Sequence, residues 1–459
     1  MKKFLLALFI IFSASIAFCQ NDDSIFIRKM ADEILIRGKA YDDLHVLTKQ
    51  IGGRLSGSPQ MVKAESWGLK TLQSLAPDRA WLQECMVPHW IRGGRDQADA
   101  KTKNGSSKKL DVLALGNSKG TGPKGISAEV VEVRSFDDLQ MKKDLVKNKI
   151  VFYNYPFNQS FVHTFEAYSD AVRYRSSGPS QAARYGAVAV IVRSMSESTD
   201  NIPHTGSLRY DSAYAQIPAV AVGLQDADWL SNILKSQSVS VNLKTNGQFL
   251  PDTIGHNVIA ELRGSEFPNE YITIGGHLDS WDPAEGAHDD GTGVVQTIEV
   301  LRVLKALGYR PRHSIRFVLF ANEENGLRGG TKYAQEAQAK GEKHIFALES
   351  DEGGFTPRGF SFTGSGSMEQ QQFDKIHSWQ NLLCPYGGCE LEKGGGGSDI
   401  GPLHSTQQTA LAGYMPDSQR YFDYHHARND VFENVNRREL ELGAVNIAAL
   451  IYLIDKYGL

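Results

Sequence analysis

From Ser24 to about Leu75 the apolar residues fall at intervals of three and four, with Ile27, Met30, Ile34 and Leu35 in one stripe and Trp67, Leu69 and Leu72 in another. That period predicts amphipathic helices. The segment between them, Ile51 to Pro59, carries Gly52, Gly53 and Gly57 and cannot be a regular helix. From about Gly120 the pattern changes to short β runs at Ala128 to Val133, Ile150 to Tyr153, Ala187 to Val192, Ala219 to Val222 and Val239 to Leu243, with a helix at Ser180 to Tyr185 feeding one of them. Residues 120–250 therefore read as an inserted α/β domain. From Asn257 onward strand, loop and helix alternate. Strands are expected at Tyr271 to Gly275, Ile315 to Phe320 and His344 to Leu348, and helices at Val294 to Leu307, Thr331 to Lys340 and Glu439 to Tyr457. Such alternation predicts an α/β fold with a mostly parallel central sheet covered by helices. No internal repeat is found, and Gly394 to Gly397, the one low-complexity piece, reads as a flexible loop.

The first residues follow another pattern. Lys2 and Lys3 precede an apolar run from Phe4 to Phe12, and small residues follow at Ser13, Ala14, Ser15 and Ala17. This is the layout of a secretory signal peptide, residues 1–19, cleaved after Cys19. An acylated Cys19 is the alternative, disfavoured by the bulky Phe18 before it. No stretch reaches the roughly 18 apolar residues of a membrane helix, so the mature chain is expected to be exported, without a membrane span. With 459 residues and 41% hydrophobic content the chain can build a large core in more than one domain. Lys plus Arg number 49 against 53 Asp plus Glu, a net charge of −4. The one dense basic run, Lys101 to Lys109, is interrupted by Asn104, Gly105 and Ser106 and reads as a loop, so nucleic acid is not an expected partner. Once Cys19 leaves with the signal, Cys384 and Cys389 either close a small disulfide loop or remain inert thiols beside Cys85.

Ligands of parallel α/β sheets bind at the carboxyl ends of the strands. Three predicted strands run into metal-ligand residue types there: Gly275 to Ser280 with His277 and Asp279, Ala321 to Gly326 with Glu323 and Glu324, and Leu348 to Asp351. Two further clusters are Gly286 to Gly293, with Asp289 and Asp290, and Tyr424 to Asp430, with His425 and His426. Taken singly each has an ordinary explanation, such as a hydrogen-bonded core histidine, a solvated loop tip or a helix cap. Gathered at the mouth of one sheet they are costly without a cation. Mixed imidazole and carboxylate ligands suit zinc, and a carboxylate-rich set can hold two ions about 3.5 to 4 Å apart.

In order along the chain, His277 and Asp279, Asp289-Asp290-Gly-Thr-Gly293, Glu323-Glu324, Asp351, then His426 with Asp430 resemble the signature of the co-catalytic di-zinc aminopeptidase and glutamate carboxypeptidase family. Similarity continues through Gly52 to Gly57, Pro88 to Trp90 and Gly396 to Pro402, and so covers essentially the whole mature chain. The resemblance implies the zinc-exopeptidase fold, with residues 20–119 and 251–459 forming the catalytic domain and 120–250 a protease-associated domain inserted between them. It implies two zinc ions, one on His277 and Asp351, the other on Glu324 and His426, with Asp289 bridging. Asp279 would orient the His277 imidazole. Glu323 would be the general base, its side chain and that of Glu324 diverging from an extended segment. A cis peptide between Asp289 and Asp290 and a homodimer are also implied. Where many members carry Tyr before the last histidine this chain has His425, which would assist zinc in stabilising the oxyanion. The expected activity is exopeptidase cleavage of a peptide substrate, a dipeptide or short peptide. The rival expectation is a receptor-like, non-catalytic binding protein on the same architecture, which would have lost ligands that this chain keeps.

Overall fold

A computed structural model describes residues 22–459; the expected signal peptide and Cys19 lie outside the described residues. Two eight-stranded sheets organise the chain. The main sheet is parallel through its centre, as expected, and mixed toward its edges. Its four central strands, His313–Phe320, Phe267–His277, Lys343–Glu349 and Ala410–Pro416, are mutually parallel, and antiparallel pairings flank them on both sides. Alternate residues of the central strands serve opposite faces. Ile315, Phe317 and Leu319 join the core under the helices 22–37, Thr292–Ala306 and Arg437–Tyr457, while Val318 and Phe320 join a second layer under Arg328–Ala339 and Gly401–Gln407. The closing helix Arg437–Tyr457 holds Ile447, Leu450, Ile451 and Ile454 fully buried, each contributing about 1.5–3 kcal/mol of transfer free energy. The Asp23 carboxylate accepts hydrogen bonds from Tyr452 Oη at 2.7 Å and Tyr457 Oη at 2.6 Å, tying the first helix to the last.

The pattern missed one long feature. Arg79–Ile91 and Gln248–Leu262 pair antiparallel along the edge of the main sheet, from Arg79 opposite Glu261 to Ile91 opposite Gln248. Gln83 among the inward positions obscures the period-two alternation of the first strand. The chain between these strands builds the second sheet and the helices beside it; the sheet's order is Ser107–Leu110, Gln97–Thr102, Val239–Lys244, Ile126–Val133, Ile150–Tyr153, Ala189–Arg193, Ala219–Val222 and Val112–Ala114. It begins at Gln97, ahead of the boundary expected at 120. The Lys101 to Lys109 run is correspondingly no loop: Lys101 pairs with Ser107 in a hairpin whose inner face is Ala98, Ala100 and Leu110, residues too small or too few to have announced a strand. In the Gly394 to Gly397 loop Gly396 is buried against Leu411 and Gly397 stands beside the Glu349 carboxylate, whereas Gly394 is open to solvent. Cys384 and Cys389 are disulfide-bonded and Cys85 is free and buried, its thiol pushed up to about 12 by burial. No helix among the described residues is long and apolar enough to cross a membrane.

Arg54, in the glycine-rich turn, is fully buried and spends its guanidinium on three carbonyls: Leu278 at 2.5 Å, Glu285 at 2.7 Å and Gly286 at 3.0 Å. It fastens the turn to the loops after the strand Phe267–His277 and is a cation beside Asp279, Asp289, Asp290 and Asp430. Arg54→Ala should orphan three buried carbonyls and lower stability by about 3 kcal/mol or more, read from urea unfolding; a loss below about 1 kcal/mol would show that the guanidinium does not hold these loops.

Candidate metal centre

Register brings the ligand types to one edge. His277 pairs with Phe320 and Gly275 with Glu349, so the parallel strands end level, and Glu323, Glu324 and Asp351 follow within a few residues. The remaining carboxylates come from the loop before Thr292–Ala306, where Asp289 and Asp290 are joined by a cis peptide bond. Asp290 Oδ2 accepts the His277 N–H at 2.9 Å and its Oδ1 the Gly293 N–H at 3.0 Å. Asp430 receives the His288 N–H at 2.7 Å and the Asp289 N–H at 3.2 Å. Asp290 and Asp430 thus clamp the backbone on either side of Asp289. Sequence reasoning gave the Asp289-Asp290 pair the ordinary reading of a helix cap and quoted Asp430 without a role, since only the fold aims these oxygens at the His277, His288 and Asp289 N–H groups.

Asp289, 4% exposed, stands between two histidines. Its Oδ1 lies 3.1 Å from His277 Nε2, which is also 3.2 Å from Asp351 Oδ1. Its Oδ2 lies 3.1 Å from His426 Nε2, which is 3.1 Å from a Glu324 oxygen. The five residues expected as ligands therefore fall into two groups sharing Asp289. His277 Nδ1 donates to the Asp279 carbonyl at 3.0 Å, which turns Nε2 toward the carboxylates. The Asp279 side chain does something else: its carboxylate is 3.8 Å from His277 Nδ1, and Oδ1 accepts the Glu323 N–H at 3.0 Å. Glu323 and Glu324 do not lie in an extended segment. They open a short helical turn, Glu323–Gly326, after Asn322 in the left-handed region at φ +65°, and this turn leaves Glu323 partly exposed and Glu324 buried. His425 is buried among Tyr168, Tyr421 and Phe422, stacked on His426 at 3.5 Å between ring centroids, with Nε2 3.9 Å from Asp289 Oδ2.

The electrostatics are those of a site built around a cation. Burial raises Glu323 to about 8 and Glu324 to about 7, with neighbouring carboxylates adding to it. Burial also raises Asp351, and Asp290 well above the usual range. For His426 burial works downward, but Glu324 and Asp289 outweigh it and carry the imidazole to about 10. Asp289 Oδ2 and Glu324 Oε1 are buried without a hydrogen-bond partner. Two imidazoles, three carboxylates, orphaned oxygens and mutually close donor atoms fit a metal centre, and the clusters His277–Asp289–Glu324, His277–Asp290–Asp351 and Asp289–His425–His426 each offer three converging donors.

An α/β sheet, parallel at its centre, with paired imidazole and carboxylate groups at the carboxyl ends of those strands is the framework of a metallohydrolase. The sequence model described as Peptidase family M28 matches residues 257–451. Carboxypeptidase Q of Bos taurus is 33% identical over 91% of this chain and 85% of its own, and that of Homo sapiens agrees at the same values. A peptidase M28 precursor from Shewanella amazonensis SB2B superposes with a TM-score of 0.88 at 32% identity, over 95% of this chain and 97% of that one. The fold is also that of BSAP, a zinc aminopeptidase from Bacillus subtilis, with a TM-score of 0.64 at 20% identity over 90% of this chain and 94% of that one. The chain belongs to peptidase family M28 and is a metallo-exopeptidase.

Stability of the metal-free protein should depend on pH with a definite sign. Burial and neighbouring carboxylates raise Glu323 and Glu324 above the usual carboxylate, and Glu324 and Asp289 raise His426 above the usual imidazole, so these three groups bind more protons folded than unfolded between about pH 5 and 8. Chelator-treated protein should lose stability as pH rises across that window, and the gap in melting temperature between metal-replete and stripped protein should widen. A gap that narrows with rising pH would contradict the assignment of these groups to one cation-dependent cluster.

Proposed function

We propose that the chain is an exported di-zinc exopeptidase hydrolysing dipeptides or short peptides. The observation that carries this reading is Asp289, whose two oxygens face two different histidines, each backed by a second carboxylate. His277, Asp351 and Asp289 would hold one ion, and Asp289, Glu324 and His426 the other. Bound there, zinc supplies Lewis acidity, polarising the scissile carbonyl and lowering the pKa of water.

The protein's own part falls to Glu323. It is partly exposed at the mouth of the cluster, and its backbone is pinned to Asp279. It takes the proton of the attacking water and returns it to the leaving amine. His425, held against His426 and beside Asp289, assists in stabilising the oxyanion. The reading also takes residues 1–19 as an export signal, the second sheet as an inserted protease-associated domain that limits the cleft to chain termini, and the working form as a homodimer. A receptor-like binding role would leave the complete ligand set without a use.

The test is a pair of substitutions. Glu323→Gln should retain two zinc ions by elemental analysis and lose about 10²- to 10⁴-fold in kcat on dipeptides. Asp289→Ala should lose both ions. Near-normal turnover by the Gln variant would reject Glu323 as base. Free dipeptides should be cleaved well and end-blocked dipeptides poorly, and early internal fragments from a long unstructured polypeptide would reject the exopeptidase specificity.

A further inference from the structure

His426 sits in the left-handed region at φ +61°, a conformation that residues other than glycine adopt only when their surroundings hold them there. The holding groups come from the domain of the second sheet. Thr205 makes a two-point contact: its N–H donates to the His426 carbonyl at 2.9 Å and its carbonyl lies 3.3 Å from His426 Nδ1. His204 Nδ1 donates to the neighbouring His425 carbonyl at 2.8 Å. Arg175, 6% exposed, converges on the same Thr205 carbonyl at 3.3 Å. Gly206 follows at φ +129°, so close that a Cβ there would stand 2.6 Å from His426 Nδ1 and nearer still to the Arg175 guanidinium.

This strip is fastened to its own sheet. The His204 N–H donates to Ser194 Oγ at 2.9 Å, Thr205 Oγ1 to the Ala114 carbonyl at 2.8 Å, and the Gly116 N–H to the Gly206 carbonyl at 2.9 Å. The Thr205 carbonyl at 3.3 Å and Arg175 Nη1 at 3.5 Å both meet His426 Nδ1, so this side of the ring is held by the second-sheet domain and Nε2 is turned toward Asp289 and Glu324. His277 has no such dependence: its Nδ1 is held by the Asp279 carbonyl of its own loop.

We infer that His204, Thr205 and Gly206 are positioning residues for one half of the metal centre, making the second sheet a structural component of the Asp289–Glu324–His426 half and no part of the His277–Asp351 half. The inference rests on the two-ion reading above. It predicts that the two ions respond differently to changes in this strip.

The experiment uses the full chain, stripped with chelator and titrated with zinc against a chromophoric competitor, with thermal melts of the stripped protein alongside. His204→Ala removes the donor to His425, Gly206→Ala pushes a methyl group at His426 and Arg175, and His204→Asn retains an N–H donor. In both Ala variants one ion should bind about 10- to 100-fold more weakly and the other as in the unsubstituted chain, with His204→Asn restoring most of the loss. Unchanged binding of both ions, or equal weakening of both, would overturn the inference. Loss of a cooperative melt in one variant leaves the decision to the other, and loss in both would make the strip a determinant of folding and overturn its positioning role. An unsubstituted chain that takes up fewer than two ions would instead defeat the two-ion reading.

Discussion

The structure is organised around the cost of gathering negative charge away from water. Asp289, Asp290, Glu324, Asp279 and Asp430 are all buried within one loop cluster, and Asp351 and Glu323 complete it at the rim. Two like charges 4 Å apart repel by about 4 kcal/mol at the effective dielectric of a protein site, so such a cluster stands only if something of opposite sign enters it. Arg54 and the two imidazoles supply part of that charge from within the chain. The rest of the architecture serves the same constraint: level strand ends, a helix start capped by Asp290, and Asp430 clamping the loop all place carboxylates where donors meet them.

Much of the fold was legible because buried parallel strands are continuous apolar runs. Ile150–Tyr153 and Ala219–Val222 lie where the pattern put them, and the helix Arg437–Tyr457 begins two residues before its expected start, capped by Asn436. What escaped was edge structure. The ribbon Arg79–Ile91 mixes Glu84, His89 and Gln83 with its apolar positions, because only one side of it meets the core. The hairpin of Gln97–Thr102 buries alanines, which carry too little area to mark a strand by composition.

The site was legible as residue types and order, since His277, Asp289, Glu323, Glu324, Asp351 and His426 all come to one edge. Their supports were less so. Arg54 acts through carbonyls far along the chain, and the Asp279 carboxylate turned out to hold a backbone N–H while its carbonyl holds the imidazole. Contacts of a side chain with distant backbone leave no trace in spacing. The grip of Thr205 on His426 is the extreme case, because it is made by main-chain atoms that any residue would bring.

The edge ribbon has a kinetic consequence. Ile91 and Gln248 are neighbours across two strands, yet the whole second sheet lies between them in sequence. Closing so long a loop as an open coil costs chain entropy before the first pair forms, although the cost grows only logarithmically with length. If the intervening chain collapses into its own sheet first, its entry and exit already stand side by side, and the ribbon zips from that end at little further entropic cost. The same geometry keeps the second sheet from disturbing the first: a stretch of chain that leaves at Ile91 and returns at Gln248, paired neighbours at one end of the ribbon, alters neither the register nor the order of the parallel strands that carry the site.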